Sequence, residues 1–277
     1  MTDPLLDIAL RAALAGGEAV MRVYADPFDV THKDDKTPVT EADLASERVI
    51  VAMLTEAFPD IPVISEETVP ENGFERPAHR FWLVDPLDGT REFVARNGEF
   101  AVLIGLVEDG RPVLGVVHGP AIGVTYIAHG PGSAMRRRDG GEWQKIAAHE
   151  PSAGGLVVIH SRTHESSRRL AEYFEGRAVR TRISCGSALK FGAIAAGEAD
   201  LYPRFGTTME WDTAAGQAIL EAAGGQVFGF DGLPLHYGKP GLKNDGFIAW
   251  GAKPAWQDAA DFAKLARIAA LPPNPAR

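Results

Sequence analysis

The sequence predicts a layered α/β protein, and three features of the chain support this class. Two segments near the N-terminus, starting at residues 4 and 41, have the capped starts and spaced apolar residues of amphipathic helices. Residues 99–146 contain apolar runs separated by an Asp-Gly turn signal and Gly-rich stretches, which is typical of an antiparallel meander. From residue 156 onwards strand-like and helix-like segments alternate, which favours helices packed on sheets.

The first half of the chain contains clear helix signals. Asp3 and Pro4 suit an N-cap and the first position of a helix, whose apolar face extends to Val23. Thr40 and Asp43 resemble a capping box, so a second helix is expected over about 41–57. Strands are expected at 61–64 and 81–84, and each runs directly into acidic residues.

The second half is predicted to have strands at 156–159, at 199–205 and from residue 225, with helices at 164–174, 186–197 and 212–224. The most linker-like stretch is HEPSAGG at 149–155, so we predict two packed subdomains, residues 1–150 and residues 151–277. A last helix is expected at about 256–270, before a frayed tail. The apolar residues of this helix are Trp256, Phe262, Leu265 and Ile268. They are expected to pack on the body of the protein or, alternatively, to form a dimer contact, so both a monomer and a homodimer stay open.

The composition argues against some classes of protein. The 277 residues carry a formal net charge of −9, whereas a nucleic-acid-binding surface needs positive potential. The basic run at 136–138 is expected to be a solvated hairpin or loop. The single cysteine, Cys185, has no partner for an intrachain disulfide, which favours a reducing compartment. Charged residues interrupt the apolar N-terminus, and no apolar run is long enough to cross a bilayer. We therefore expect a cytoplasmic protein without a transmembrane segment, either free or loosely associated with the cytoplasmic face of the inner membrane.

The strongest chemical signal is WLVDPLDGT at residues 82–90. An apolar strand leads to Asp85, Pro86 fixes the turn, Asp88 follows three residues later, and Gly89 permits a close backbone approach. Two carboxylates on one turn repel each other unless a cation lies between them, and the amides after Asp88 suit a phosphate. An ordinary Asp-Gly turn is the alternative, and the position of the motif at the end of an apolar strand disfavours it.

Three weaker signals accompany this motif. Glu66 and Glu67 end the preceding strand, although adjacent glutamates are commonly just solvated. Asp212 follows Trp211 before an alanine-rich helix, where an aspartate is a favoured N-cap, and the same capping alternative applies to Asp43. Mg²⁺ needs a few carboxylates in octahedral oxygen coordination, whereas the sequence lacks the His and Cys cluster of a zinc site. Together the four signals predict a magnesium site that acts on a phosphate ester.

The motifs, taken in order, resemble those of a known family. TPVTEAD, ISEE, WLVDPLDGT and WDTAAG are similar to the inositol monophosphatase superfamily over roughly residues 4–250. REFVARNGEF, GSALKF and LYPRFG resemble, within that superfamily, the bacterial CysQ-type 3′(2′),5′-bisphosphate nucleotidases. The resemblance implies an α-β-α-β-α sandwich. Ala188 departs from the pattern, since the subfamily often has a small polar residue there, and one hydrogen bond to a phosphate is expected to be missing.

The resemblance also implies a role for each matching residue. Two or three Mg²⁺ ions are expected per active site, with ligands from Glu66, Asp85, the Leu87 carbonyl, Asp88 and Asp212. Thr90 and Asp43 are expected to orient and deprotonate the attacking water, with Glu67 in support. Gly89 and Thr90 are expected to hold the scissile phosphate, and Ser187, Lys190 and Arg204 are expected to hold the other phosphate or the nucleoside. The full set of expected substrate-binding residues is Glu66, Leu87, Asp88, Gly89, Thr90, Ser187, Lys190, Arg204 and Asp212.

The implied reaction is the Mg²⁺-dependent hydrolysis of adenosine 3′,5′-bisphosphate to AMP and phosphate. The related 5′-phosphosulfate would be a second substrate, and the protein would serve sulfur assimilation and be inhibited by Li⁺. One alternative is the same chemistry on inositol 1-phosphate, histidinol phosphate or fructose 1,6-bisphosphate. Another is a non-catalytic regulator that binds a metal or a nucleotide, against which the intact set of acidic residues with Thr90 argues.

Overall fold

The computed structural model describes residues 3–28, 30–32, 38–69, 79–162, 167–252 and 257–271. Its helices are α1 (Pro4–Ala25), α2 (Glu41–Ala57), α3 (Thr90–Val94), α4 (Ser167–Tyr173), α5 (Leu189–Ala195), α6 (Ala214–Ala222) and α7 (Ala259–Ala269). The strands of the first half are β1 (Val30–His32), β2 (Pro38–Thr40), β3 (Val63–Ser65), β4 (Arg80–Asp88), β5 (Ala101–Glu108), β6 (Arg111–Gly119), β7 (Val124–His129), β8 (Met135–Arg138) and β9 (Gln144–Lys145). Those of the second half are β10 (Leu156–Ser161), β11 (Val179–Cys185), β12 (Leu201–Arg204), β13 (Thr208–Met209), β14 (Gln226–Gly229), β15 (Lys243–Asn244) and β16 (Phe247–Trp250).

Six of the described helices and the two larger sheets stack in five layers. Helices α1 and α2 cover one face of a seven-stranded sheet of order β3-β4-β5-β6-β7-β8-β9. Helices α5 and α6 lie between that sheet and a five-stranded sheet of order β11-β10-β12-β16-β14. Helices α4 and α7 pack on the outer face of the second sheet. The predicted layered α/β fold and its α-β-α-β-α order are therefore confirmed.

Local sequence explains the outer helices of the first half. The Asp3 side chain accepts a hydrogen bond from the Leu5 N–H at 2.9 Å, and α1 begins at Pro4 as predicted. Helix α2 has the predicted bounds, and Thr40 and Asp43 fix its start by forming the complete capping box. The meander predicted from residue 99 is also present, as strands β5 to β9 pair antiparallel in sequence order.

Glycines bring the central helix α6 very close to the first sheet. A Cβ atom on Gly115 would lie 2.2 Å from the carbonyl oxygen of Ala215, and one on Gly105 would lie 2.9 Å from the Ala214 Cβ. Only glycine on the sheet, facing alanine on the helix, permits this approach. The docking places Asp212, just ahead of α6, beside the end of the first sheet.

Some elements differ from the predictions. Helix α5 begins at Leu189 and not at residue 186, because Ser187 has a φ of 47°, a left-handed conformation that an α-helix excludes. Residues 136–138 form part of strand β8, which pairs antiparallel with β7 and β9, so the hairpin expected for this basic run is present. Its arginines are not simply solvated, because Arg136 and Arg138 both form ion pairs with Glu198, at 2.5 and 3.0 Å. Six of the described strands were not predicted, namely β1, β2, β11, β13, β15 and β16.

The C-terminal helix packs on the body of the protein. Helix α7 starts after the N-cap Asp258 and buries Phe262, Leu265 and Ile268 in the core cluster under the second sheet. Trp256, residues 163–166 of the predicted helix 164–174 and most of the predicted tail lie outside the described residues. The first sheet ends at residue 145 and the second begins at 156, while the subdomain boundary at residue 150 stays a prediction. No described helix has both the length and the apolar character that crossing a membrane requires.

Candidate active site

A cavity of about 570 Å³ is lined by both halves of the chain. Its wall from the first half consists of the end of β4 and the start of α3, together with Glu66. Its wall from the second half includes the turn before α5, the start of α5, the end of β12, the segment before α6, and strand β15. Ten residues predicted for the site line it: Glu66, Asp85, Leu87, Asp88, Gly89, Thr90, Ser187, Lys190, Arg204 and Asp212. Asp43 and Glu67 are not part of the lining.

The end of β4 is bent, and this bend presents its carboxylates. The pairing of β4 with β5 shifts register between Asp85 and Asp88, where Pro86 interrupts the regular ladder. The Asp85 Oδ1 atom accepts the Leu87 N–H at 3.0 Å, which closes the turn. Gly89 then takes a φ of +91°, and an added Cβ would lie 3.2 Å from the Glu99 carbonyl oxygen, so this position favours glycine.

The carboxylates of the cavity lie close enough to repel one another. Burial, together with the charges of Glu66, Asp88 and Asp212, raises the pKa of Asp85 well above its usual value. Burial likewise raises the pKa of Asp212 well above its usual value, with Asp88 and Glu66 adding to the effect. Burial raises the pKa of Asp88 to about 6, although the Lys190 charge opposes the increase. Such an acidic cluster is unfavourable by itself and is favourable with a cation among the carboxylates.

Each of the three aspartates keeps one oxygen atom for a ligand. Asp85 accepts the Leu87 N–H through Oδ1, Asp212 accepts the Met209 N–H through Oδ2 at 2.8 Å, and Asp88 accepts the Ala188 N–H through Oδ2. The second oxygen of each accepts no hydrogen bond from the described residues. Within the described ranges, no three Asp, Glu, His or Cys side chains are already in a geometry that holds a metal ion. The donor chemistry, hard anionic oxygens without sulfur or imidazole, nevertheless fits Mg²⁺.

Asp43 is both a helix cap and a partner of the cavity. Its Oδ2 atom accepts the N–H and the Oγ1–H of Thr40, at 2.7 and 2.8 Å, and closes the capping box. Its Oδ1 atom lies 3.3 Å from the Thr90 hydroxyl, which lies equally far from the Leu87 carbonyl oxygen. Burial, reinforced by the charge of Glu66, raises the pKa of Asp43 to about 6. The capping and functional interpretations of Asp43 are therefore compatible.

Asp212 is not the N-cap that its sequence position suggests. No side chain caps α6, and the Asp212 carboxylate folds back to the Met209 N–H. The segment is held by two buried side chains that sequence reasoning missed. Glu210 accepts the N–H groups of Gly238 and Lys239, at 2.7 and 3.0 Å, and Asn244 donates to the Met209 carbonyl at 3.2 Å. These contacts join residues about 30 positions apart, so no local sequence signal marks them.

The cations of the cavity differ in their surroundings. Lys190 is 3% exposed, and its ammonium group donates to the carbonyls of Cys185, at 3.2 Å, and Ser187. Burial lowers the pKa of Lys190, against the opposing charge of Asp88. Arg204 is 9% exposed, yet its Nε atom has no hydrogen-bond partner among the described residues, and Nη2 reaches only the Thr207 carbonyl at 3.5 Å. The Arg204 guanidinium therefore keeps donors for a ligand.

Three charged residues of the lining were not predicted from the sequence. Glu92 is buried and its charge helps to raise the pKa of Asp88. Arg91 and Lys243 are exposed at the cavity. Glu92 and Arg91 lie inside the REFVARNGEF segment that carried the resemblance, whereas Lys243 lies in a strand without any motif.

Comparisons with known proteins agree with the resemblance. The sequence model of the inositol monophosphatase family matches residues 1–263. The 3′(2′),5′-bisphosphate nucleotidase CysQ of Escherichia coli O157:H7 is 47% identical over 238 residues, 84% of this chain and 94% of the relative. The solved structure of CysQ from Bacteroides thetaiotaomicron is 34% identical with a TM-score of 0.75, covering 90% of this chain and 97% of that one. The Thermotoga maritima IMPase is 26% identical with a TM-score of 0.76, covering 95% and 97%.

The chain belongs to the inositol monophosphatase family. The phosphatases of this family are metal-dependent. The resemblance inferred from the sequence motifs is confirmed.

Proposed function

We propose that the protein hydrolyses the 3′-phosphate of adenosine 3′,5′-bisphosphate, giving AMP and phosphate, with two or three Mg²⁺ ions in the site. The related 5′-phosphosulfate is the proposed second substrate, which makes sulfur assimilation the proposed setting. The observation that carries the proposal is the pairing, in one cavity, of the acidic cluster with the donor-rich guanidinium of Arg204. A substrate with two separate phosphate groups has one for the metal side and one for the cationic side. The names of the curated relatives support the same substrate.

The metal side would be formed by Glu66, Asp85, Asp88 and Asp212 with the Leu87 carbonyl. Mg²⁺, when bound, supplies charge neutralisation at the phosphate and a lower pKa for the attacking water. The oxygen atoms that Asp85, Asp88 and Asp212 do not use for backbone amides are the proposed ligand atoms.

The proton of the attacking water would leave through Thr90 and Asp43. The Thr90 hydroxyl can donate to Asp43 Oδ1 and still accept a hydrogen bond from water through a lone pair. Asp43, with its pKa raised to about 6, is a base matched to neutral pH. Glu67 neighbours Glu66 outside the lining, and its supporting role is part of the proposal.

The scissile phosphate would be held by the amides of Gly89 and Thr90. Helix α3 begins at Thr90, so the first N–H groups of this turn have no acceptor within the helix. Lys190 adds positive charge beside Asp88. Ser187 and Arg204, in the wall from the second half, would contact the remainder of the nucleotide.

A substrate panel at fixed Mg²⁺ and salt tests the proposal. We expect kcat/KM for adenosine 3′,5′-bisphosphate to exceed the values for inositol 1-phosphate, histidinol phosphate and fructose 1,6-bisphosphate, and a chelator to abolish all phosphate release. Higher kcat/KM for any of the other esters would reject the nucleotide and keep the chemistry. Binding of the nucleotide without turnover of any ester would indicate a regulator.

A further inference from the structure

The cavity is larger than the reacting phosphate requires. About 570 Å³ is within the range that encloses a whole small molecule. The metal side and the turn at Gly89 account for one phosphate only. The rest of the lining, from the second half of the chain, includes Arg204, Thr207 and Lys243.

Lys243 is held in place by its backbone while its side chain stays exposed. Strand β15 pairs antiparallel with β13, so that Lys243 lies opposite Met209 and Asn244 lies opposite Thr208. The Asn244 side chain is buried, and it donates to Thr213 Oγ1 at 3.0 Å. Successive side chains of a strand point to opposite faces, so the buried Asn244 side chain leaves Lys243 on the face towards the cavity. Lys243 lines the cavity together with Met209, its partner on the neighbouring strand.

The Lys243 ammonium group is available to a ligand. It makes no ion pair and no hydrogen bond with the described residues, unlike the nearby Lys239, which forms an ion pair with Glu210 at 2.8 Å. Arg204 lies in the same wall, since its guanidinium reaches the carbonyl of Thr207, two residues before Met209. The wall thus carries two positive groups with donors to spare, Arg204 and Lys243, both adjacent to the segment 207–209.

We propose that Lys243 is a specificity-determining residue that binds, together with Arg204, the phosphate of the substrate that is not hydrolysed. This inference rests on the proposed function and adds a residue for which neither motif nor resemblance assigned a role. The ligand class is a nucleotide that carries an anionic group at the 5′ position as well as a phosphate at the 3′ position. A lysine at this place binds the group as a point charge, and the planar Arg204 fixes its orientation.

The test compares adenosine 3′,5′-bisphosphate with adenosine 3′-monophosphate, which lacks the second phosphate. The measured quantity is the ratio of the two kcat/KM values at fixed Mg²⁺. We expect Lys243→Ala to lower this ratio about 5- to 30-fold, the range between a well-placed surface pair and a charge-assisted hydrogen bond. Lys243→Glu should lower it further, Lys243→Arg should largely restore it, and the difference between wild type and Lys243→Ala should shrink at high salt.

A binding measurement and a matched control complete the design. The Kd of AMP, which retains the 5′-phosphate, should rise by the same factor in Lys243→Ala when it is titrated by calorimetry. Lys145→Ala removes an exposed lysine from strand β9, outside the cavity lining, and should leave both the ratio and the AMP affinity within twofold of wild type.

The outcomes separate this inference from the proposed function. If wild type prefers the bisphosphate but Lys243→Ala keeps the wild-type ratio and AMP affinity, the Lys243 assignment is wrong and the function stands. A loss of selectivity in Arg91→Ala with none in Lys243→Ala would move the second phosphate to the other wall and also overturn the assignment. If wild type prefers a different ester in the substrate panel, the proposed function fails and the inference fails with it.

Discussion

Asp43 offers the sharpest separation of a structural from a catalytic role, because its two oxygen atoms have different partners. Oδ2 closes the capping box of α2 with Thr40, and Oδ1 faces the Thr90 hydroxyl. In Asp43→Asn the amide oxygen can keep the place of Oδ2, and the amide nitrogen then takes the place of Oδ1. The variant therefore keeps the cap and puts an N–H group, which cannot accept a proton, next to Thr90.

The two roles predict effects of different size. Loss of the cap in Asp43→Ala should lower the free energy of unfolding by about 1 kcal/mol. Asp43→Asn should leave that free energy near the wild-type value at pH 8, since it also removes a buried charge. Loss of the proton acceptor should lower kcat by roughly 10²–10⁴-fold. That factor corresponds to about 2.7–5.4 kcal/mol in the activation barrier.

The assay is kcat on adenosine 3′,5′-bisphosphate at saturating Mg²⁺, with urea unfolding of the same preparations. Asp258→Asn is the matched control, because Asp258 caps α7 through the Asp261 N–H at 3.0 Å and does not line the cavity. The control should unfold and turn over like wild type. A stable Asp43→Asn variant with wild-type kcat would refute the catalytic role and leave Asp43 as a cap only.

Three further predictions concern the acidic cluster. The raised pKa values of Asp85, Asp88 and Asp212 mean that protonation stabilises the metal-free fold at low pH. This stability is lost as the pH rises above the usual carboxyl range, through about 6 for Asp88. The Mg²⁺-induced gain in Tm should hence be larger at pH 8 than at pH 5.5, and equal gains would contradict the cluster. Asp212→Asn should abolish turnover, raise the metal-free Tm at pH 8 and lose most of the Mg²⁺-induced gain, whereas a wild-type gain in this variant would exclude Asp212 as a ligand. Lys190→Ala should destabilise the protein and lower kcat/KM for every ester. The reason is that Lys190 is buried beside Asp88 and donates hydrogen bonds to two backbone carbonyls. A loss of kcat/KM confined to the bisphosphate would instead place Lys190 at the second phosphate.

Features encoded in short segments were predictable. The start of α2 follows from a box of four residues, Thr40 to Asp43, whose hydrogen bonds are all local. The end of β4 is equally local, since Asp85, Pro86 and Gly89 encode the bend by themselves. These are among the elements for which sequence and structure agree.

The surroundings of the cations were not predictable. Lys190 was expected at the other phosphate or the nucleoside, and it does line the cavity; what the sequence did not indicate is that its ammonium group donates to the carbonyls of Cys185 and Ser187, next to the left-handed Ser187. No residue near position 187 signals this conformation, because serine there has no evident local preference for positive φ. Lys243 and Glu210 were missed for a different reason, since their positions depend on pairing between β13 and β15.

The packing of α6 links the fold to the chemistry. Asp85 and Asp88 come from the first sheet, whereas Asp212 arrives from the second half of the chain, and like charges oppose their approach. The approach is enforced by contacts without charge: alanines of α6 lie against Gly105 and Gly115 so closely that no side chain fits on either glycine. Dispersion and apolar burial across this layer offset the repulsion, and a bound cation then turns the repulsion into attraction. The last predicted ligand, Asp212, lies in the turn directly ahead of α6, so the packing that fixes this buried helix also fixes the position of the carboxylate.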